Sequence, residues 1–266
     1  MTDQEFAGKV AIVAGGSLGM GKAAARLLAE RGAQVAICGR RDEAVRDAVA
    51  EMQSAGLRVE GIPADVGKAA DAEKLVNFTV EHFGGVDILV NSAGIQRYGT
   101  VVDTNEATWD EVFDTNVKGM YLTSHFAIPE MRKRGGGVII NVSSVQAFAS
   151  QKSVAAYTAS KGAINALTRA MSLDHAAENI RGVAVCPGSI DTPMLRYAAE
   201  IWKGDKTEDD MIASWGKMHP IGRVGTPEDV AELIAFLASP RASFITGGEY
   251  KIDGGLLSGI AAVLPD

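Results

Sequence analysis

The chain has 266 residues, a formal net charge of −7, 30 glycines and only two cysteines. That length can bury a substantial core in one α/β domain, and a hydrophobic fraction of 47% excludes disorder across the chain as a whole. The acidic balance argues against nucleic acid and anionic membranes as partners, and two cysteines outside any CxxC pair make no disulfide framework.

The opening residues Met1–Phe6 are acidic and polar, unlike a secretory leader, and no apolar run approaches the roughly eighteen residues of a membrane span. A cytoplasmic protein is therefore expected, with Cys38 and Cys186 reduced in apolar, strand-like runs. Strands are predicted at Val10–Ala14, Val35–Cys38, Val59–Pro63, Asp87–Asn91, Val138–Val142, Gly182–Cys186 and Glu249–Ile252. These runs are continuously apolar, as parallel strands covered on both faces should be. Helical periodicity fills Gly21–Arg31, Asp42–Ala55, Ala69–Phe83, Trp109–Arg134, Ala156–Glu178 and Pro227–Leu237. The alternation predicts one α/β domain over 1–266, a doubly wound parallel sheet of about seven strands with helices on both faces. Residues 190–225 break the rhythm with Trp202, Trp215, His219 and the charged run Lys203–Asp210. A segment of that length is expected to be a substrate lid, the alternative being a helix pair on the domain edge.

The first strand runs into Gly15-Gly16-Ser17-Leu18-Gly19-Met20-Gly21 and then an Ala-rich helix. Gly in such a turn lets the backbone approach a pyrophosphate, and the helix N-terminus supplies N–H groups and partial positive charge. The spacing is GxxxGxG, so a plain turn is the competing reading. The second strand ends in Gly39-Arg40-Arg41, with no acid for a ribose 2′-hydroxyl before Asp42. Arg40 and Arg41 suit a 2′-phosphate, so NADP(H) is favoured and NAD(H) stays open.

Tyr157 and Lys161 are one helical turn apart and share a face. Ser144 follows the strand Val138–Val142, at the end where open α/β sheets bind ligands. Asn91-Ser92-Ala93-Gly94 closes another strand, and Asn116 lies in the helical stretch between. His82, His125, His175 and His219 lack metal-ligand spacing, so no metal is expected, and the cations Arg132–Arg134 simply end a helix.

In this order and at these intervals, the Gly turn, Asp65-Val66, Asn91–Gly94, Asn116, Ser144, Tyr157, Lys161 and Cys186-Pro187-Gly188…Thr192 resemble the short-chain dehydrogenase/reductase family, across essentially the whole chain. Ala14, Met20 and Ser92 depart from its usual Thr, Ile and Asn without removing a reactive group. The resemblance implies a single-domain Rossmann-like fold and hydride transfer between NAD(P) and an alcohol or ketone. It makes Tyr157 the acid/base, held by Ser144, with Lys161 and a cationic nicotinamide ring lowering a pKa that is near 10 in a free Tyr. Lys161 would also hold the nicotinamide ribose, and Asn116 would anchor a water in a proton relay. Asp65 and Val66 would meet the adenine end, Asn91, Ala93 and Gly94 the cofactor's centre, and Pro187, Gly188, Ile190 and Thr192 the nicotinamide. A homotetramer is implied, with a dimer as alternative.

Substrate contacts are expected from Gln96, Gln146, Met194 and Trp202, with Arg97, Gln151, Lys152 and Trp215 nearby. The amides suit a sugar or polyol. The alternatives are a 3-oxoacyl thioester, a steroid or small apolar alcohol, or, in another class, a noncatalytic NAD(P)-binding sensor.

Overall fold

The computed structural model describes residues 4–259. Seven strands form one parallel sheet: β1 Val10–Ala14, β2 Gln34–Gly39, β3 Val59–Pro63, β4 Ile88–Asn91, β5 Gly137–Val142, β6 Ile180–Pro187 and β7 Glu249–Ile252. Their order is β3-β2-β1-β4-β5-β6-β7, so the winding reverses between β1 and β4. A crevice opens at that reversal, beyond the C-terminal ends of the strands.

Successive strand residues point to opposite faces, and both faces are covered. Val13, Ile37, Val90, Ile140 and Val185 pack on one face with Leu28 of α1 (Gly19–Glu30) and Ile234 of α9 (Pro227–Ala238). Ile12, Leu89 and Ile139 pack on the other with Leu75 of α3 (Ala69–Phe83) and Met131 of α5 (Gly119–Lys133). Helix α2 (Asp42–Ser54) buries Val45, Ala48 and Met52 beside Ile37.

Two expected stretches resolve differently. Trp109–Arg134 is not one helix but α4 (Glu106–Phe113), a π-helical turn at Asp114–Lys118 and α5. Segment 190–225 holds two helices, α7 (Pro193–Trp202) and α8 (Glu208–Gly216). Each starts at a threonine whose hydroxyl accepts a backbone N–H: Thr192 from Leu195 and Thr207 from Asp210. The helix-pair alternative thus describes its local structure.

At the opposite end of the sheet, buried Asp87 accepts hydrogen bonds from the Val10 N–H at 2.9 Å, Lys9 Nζ at 3.2 Å and an Arg134 nitrogen at 3.0 Å. Burial pushes its carboxyl pKa up, but these donors outweigh it and hold it below the usual value. We expect Asp87→Asn to cost about 2 kcal/mol in urea unfolding, the worth of hydrogen bonds to a charged acceptor, while cofactor affinity stays unchanged. The other basic residues ending α5 are also occupied, Arg132 by Glu178 and Lys133 by Glu130. Cys38 and Cys186 are buried, which pushes their thiol pKa values up to about 12 and about 11. No helix among the described residues is long and apolar enough to cross a membrane.

Candidate active site

Two joined cavities lie over the C-terminal strand ends. One, of about 350 Å³, is lined by Gly15, Ser17, Leu18, Gly19 and Met20, by Arg40 and Arg41, by Asp65 and Val66, and by Ala93 and Gly94. The second, of about 610 Å³, holds Ser144 and Tyr157, with Pro187, Gly188 and Ile190 along its wall. Met20, Thr192 and Met194 face both.

The glycine turn is built around backbone proximity. Gly15 has φ +80°, and a Cβ there would lie 2.6 Å from the Ala93 nitrogen. A Cβ on Gly21 would come within 2.2 Å of the Gly15 carbonyl oxygen, so Gly21 permits the tight entry into α1 rather than lining the cavity. Leu18 at the N-cap makes no side-chain cap, leaving the first N–H groups of α1 available to an anion. We expect Gly15→Ala to weaken dinucleotide binding at least tenfold by titration, through strain at positive φ and collision with Ala93.

At the end of β2, a Cβ on Gly39 would meet Ser17 Oγ at 2.5 Å, so a side chain there requires the Ser17 hydroxyl to turn aside. Arg40 and Arg41 are exposed on the cavity wall, and neither forms an ion pair with a described residue. The donor set suits a dinucleotide carrying extra phosphate, and the pyrophosphate cradle suits either nicotinamide dinucleotide.

Tyr157 and Lys161 lie on α6 (Ala155–Asp174) and are 8% and 4% exposed. Lys161 Nζ donates to the Val142 carbonyl at 2.9 Å and sits 5.3 Å from the centre of the Tyr157 ring. The Ser144 hydroxyl lowers the pKa of the Tyr157 phenol, and Ser144 Oγ accepts the Gln146 N–H at 3.1 Å. Ser143 Oγ donates to the Lys161 carbonyl at 3.1 Å, tying the serine loop to α6. A Cβ on Gly94 would lie 3.4 Å from Asn116 Oδ1 and 3.8 Å from Lys161 Nζ, which brings these groups together.

Burial pushes the Tyr157 pKa up to about 12, against the lowering effect of Ser144, and pushes Lys161 down to about 8. Burial is the dominant cause for both groups, so the phenol by itself is protonated at neutral pH.

Two other side chains are engaged in buried hydrogen bonds. Asn116 Oδ1 accepts the Ile95 N–H at 2.8 Å, while its Nδ2 donates to the Ile95 carbonyl at 2.9 Å and to Ser160 Oγ at 3.0 Å. Its amide therefore clamps the loop after β4 to α6, and a relay through its amide N–H groups has no free donor. Asn91, expected against the cofactor, instead turns into a buried network. Its Nδ2 donates to Asn141 Oδ1 at 2.9 Å, its Oδ1 accepts from Thr123 at 2.7 Å, and Asn141 reaches Thr168 on α6. The buried position of Asn91, 1% exposed at the strand end, is the physical reason.

The family model described as enoyl-(acyl carrier protein) reductase matches residues 14–257. The rabbit (Oryctolagus cuniculus) dehydrogenase/reductase SDR family member 4 is 40% identical over 94% of both chains. An uncharacterized oxidoreductase of Thermotoga maritima is 40% identical over 94% of this chain and 98% of its own. The chain belongs to the short-chain dehydrogenase/reductase family. Its fold agrees with the ligand-free aldohexose dehydrogenase of Thermoplasma acidophilum, at a TM-score of 0.90, 35% identity and 99% coverage of each chain. It is thus an oxidoreductase of a family, and with a fold, that imply NAD(P) binding.

In this family member the larger cavity gathers Gln96, Gln146, Gln151, Met194, Trp202 and Trp215. Arg97 is held away by a bidentate pair with Glu111, at 2.6 and 2.9 Å, and neither Arg97 nor Lys152 lines the cavity. His219 is 2% exposed and faces a separate cavity, its Nδ1 against the Asp253 carbonyl at 2.6 Å. Tyr98, Met211 and Met218 also line the larger cavity and were not singled out by sequence. The aromatic at 98, just beyond the strand-end Gly94 and beside Gln96, was the available signal for the first.

Proposed function

We propose that the protein transfers hydride between NADP(H) and an uncharged ketone or secondary alcohol, with Tyr157 as acid/base and Ser144, Lys161 and Asn116 completing the site. The observation carrying this reading is the buried Tyr157–Ser144–Lys161 cluster beside a cavity lined by the glycine turn and by Arg40 and Arg41, which form no ion pair among the described residues. When bound, the nicotinamide supplies or accepts the hydride. The chain's own work is to bind it and to move a proton at the Tyr157 oxygen. A protonated phenol can donate to the oxygen of a carbonyl being reduced, and the same oxygen takes the proton back when an alcohol is oxidised. Ser144 would hold the same oxygen, and the Lys161 ammonium would supply positive charge and a ribose contact. Asp65 and Val66 would take the adenine end, Ala93 and Gly94 the centre, and Pro187, Gly188, Ile190 and Thr192 the nicotinamide.

Lys161 carries its charge only below its lowered pKa of about 8. Reduction at saturating NADPH is therefore expected to hold its rate below about pH 8 and fall as pH rises through it. A rate rising through that range would contradict the role given to Lys161.

Among the described residues no Asp, Glu, Lys or Arg lines the larger cavity, which favours uncharged substrates over an acidic carrier. A sugar or polyol is a second reading, favoured by Gln96, Gln146 and Gln151 and by the aldohexose dehydrogenase likeness. The presence of all three reactive side chains argues against a noncatalytic sensor. We also propose that α7 and α8 act as a lid on a single domain, and that the protein is a cytoplasmic homotetramer. Helices α5 and α6 leave Tyr121 and Leu173 exposed for neighbouring copies; the C-terminal stretch also considered for assembly lies partly outside the described residues, at 260–266. A panel of NADPH-linked assays with ketones, aldohexoses and acyl thioesters tests the function: turnover of acyl thioesters alone would overturn the substrate reading.

A further inference from the structure

We propose that Tyr98 is a specificity-determining residue, and that the class it selects is uncharged ketones with a flat apolar ring beside the carbonyl. This rests on the hydride-transfer reading above. The placement of Tyr98 comes first. Gly99 forms a parallel bridge with Val154, the Gly99 N–H donating to the Ser153 carbonyl at 2.8 Å and the Ala155 N–H to the Gly99 carbonyl at 3.3 Å. The loop after β4 is thereby stitched to the start of α6, just before Tyr157. Tyr98 is thus fixed relative to the reacting phenol, and both face the larger cavity.

Tyr98 also reaches the covering helices. Its ring meets Trp202 of α7 edge to face, with centroids 5.7 Å apart and planes at 82°. It is the aromatic link between the fixed floor of the site and α7, whose Trp202 is 56% exposed. The remaining wall includes Met194, Met211, Trp215, Met218 and Leu257. Unbranched thioethers beside aromatic rings adapt to flat apolar groups and make favourable sulfur–ring contacts.

The polar inventory points the same way. Gln146 Oε1 already accepts from Thr158 at 3.2 Å. Arg196, at the outer side of α7, is tied to Asp191 and Asp209. Gln96, Gln151, Ser150 and Ser189 offer partners to a few hydroxyls, but those of a polyol set against Met, Leu and Trp would go unpaired, and each costs affinity. A ketone has one oxygen, which Ser144 and Tyr157 satisfy, and a ring beside it would lie against Tyr98 and Trp202.

The test compares kcat and KM for acetophenone, butanone and D-glucose, with NADPH, in the wild type and in Tyr98→Phe, Tyr98→Leu and Tyr98→Ala, with Tm recorded for each. The wild type is expected to prefer acetophenone to butanone by about tenfold or more, the scale of apolar pocket discrimination. Tyr98→Ala and Tyr98→Leu should lose about tenfold in kcat/KM for acetophenone, mainly through KM, with butanone changed less than about twofold; Tyr98→Phe should keep the preference. An unchanged acetophenone-to-butanone ratio in the folded Tyr98→Leu or Tyr98→Ala protein would overturn the role of Tyr98. Turnover of D-glucose but of neither ketone would overturn the substrate class while leaving hydride transfer intact. Turnover of none of the three would overturn both.

Discussion

Replacing Tyr157 by Phe is expected to lower kcat for carbonyl reduction by about a thousandfold, within the range supplied by a positioned general acid. The substitution removes one oxygen and leaves the ring that packs beside Lys161. NADPH affinity should change less than about twofold, since Lys161, the Gly15 turn and the arginines remain. Stopped-flow measurement of NADPH consumption separates the two quantities. A variant with unchanged kcat would show that the proton comes from elsewhere. Burial holds Tyr157 as a phenol with its pKa pushed up to about 12, against the lowering effect of the Ser144 hydroxyl. The phenol therefore has a proton to give at neutral pH. The opposite direction, oxidation, asks the same oxygen to accept one and must overcome that burial.

The second large effect concerns cofactor choice. Changing Arg40 and Arg41 together to Ala is expected to weaken NADPH binding about a hundredfold while leaving NADH within about twofold. Charge-assisted hydrogen bonds to phosphate are each worth about 1.5–3 kcal/mol, and both arginines are exposed, so the lower end applies. The loss should also shrink as salt rises. Gly39 gives the prediction its direction: the β2 end carries no acid for a ribose 2′-hydroxyl, while Arg40 and Arg41 line the cavity. Equal losses for the two dinucleotides in calorimetric titration would instead assign the arginines to the shared pyrophosphate.

Much of this was legible in the residues. The seven apolar runs became the seven strands because parallel strands covered on both faces carry no polar alternation to confuse the reading. Gly15, Ser144, Tyr157 and Lys161 sit where their spacing placed them, since strand ends and one helical turn leave little freedom. Segment 190–225 was harder: its helices are short, and the Thr192-Pro193 and Thr207…Asp210 starts that mark them were outweighed by the missing strand. The break at Asp114–Lys118 was invisible because a π-helical turn keeps an apolar pattern close to that of a helix. Asn91 and Asn116 show a different limit. Spacing brings an amide near a site, but only its partners, Asn141 and Thr123 in one case and Ile95 and Ser160 in the other, tell whether it faces the cavity. Tyr157 shows a related limit for charge, because the sequence displays Lys161 but not the burial that raises the pKa of the phenol.

The most direct measurement is single-turnover transfer of deuterium from NADPH labelled at the nicotinamide C4 to a prochiral ketone, with the alcohol product analysed by mass spectrometry. The account predicts one deuterium on the carbinol carbon, in a single stereochemical sense, and loss of the reaction in Tyr157→Phe. NADPH that binds tightly yet passes no label to any carbonyl compound would contradict it.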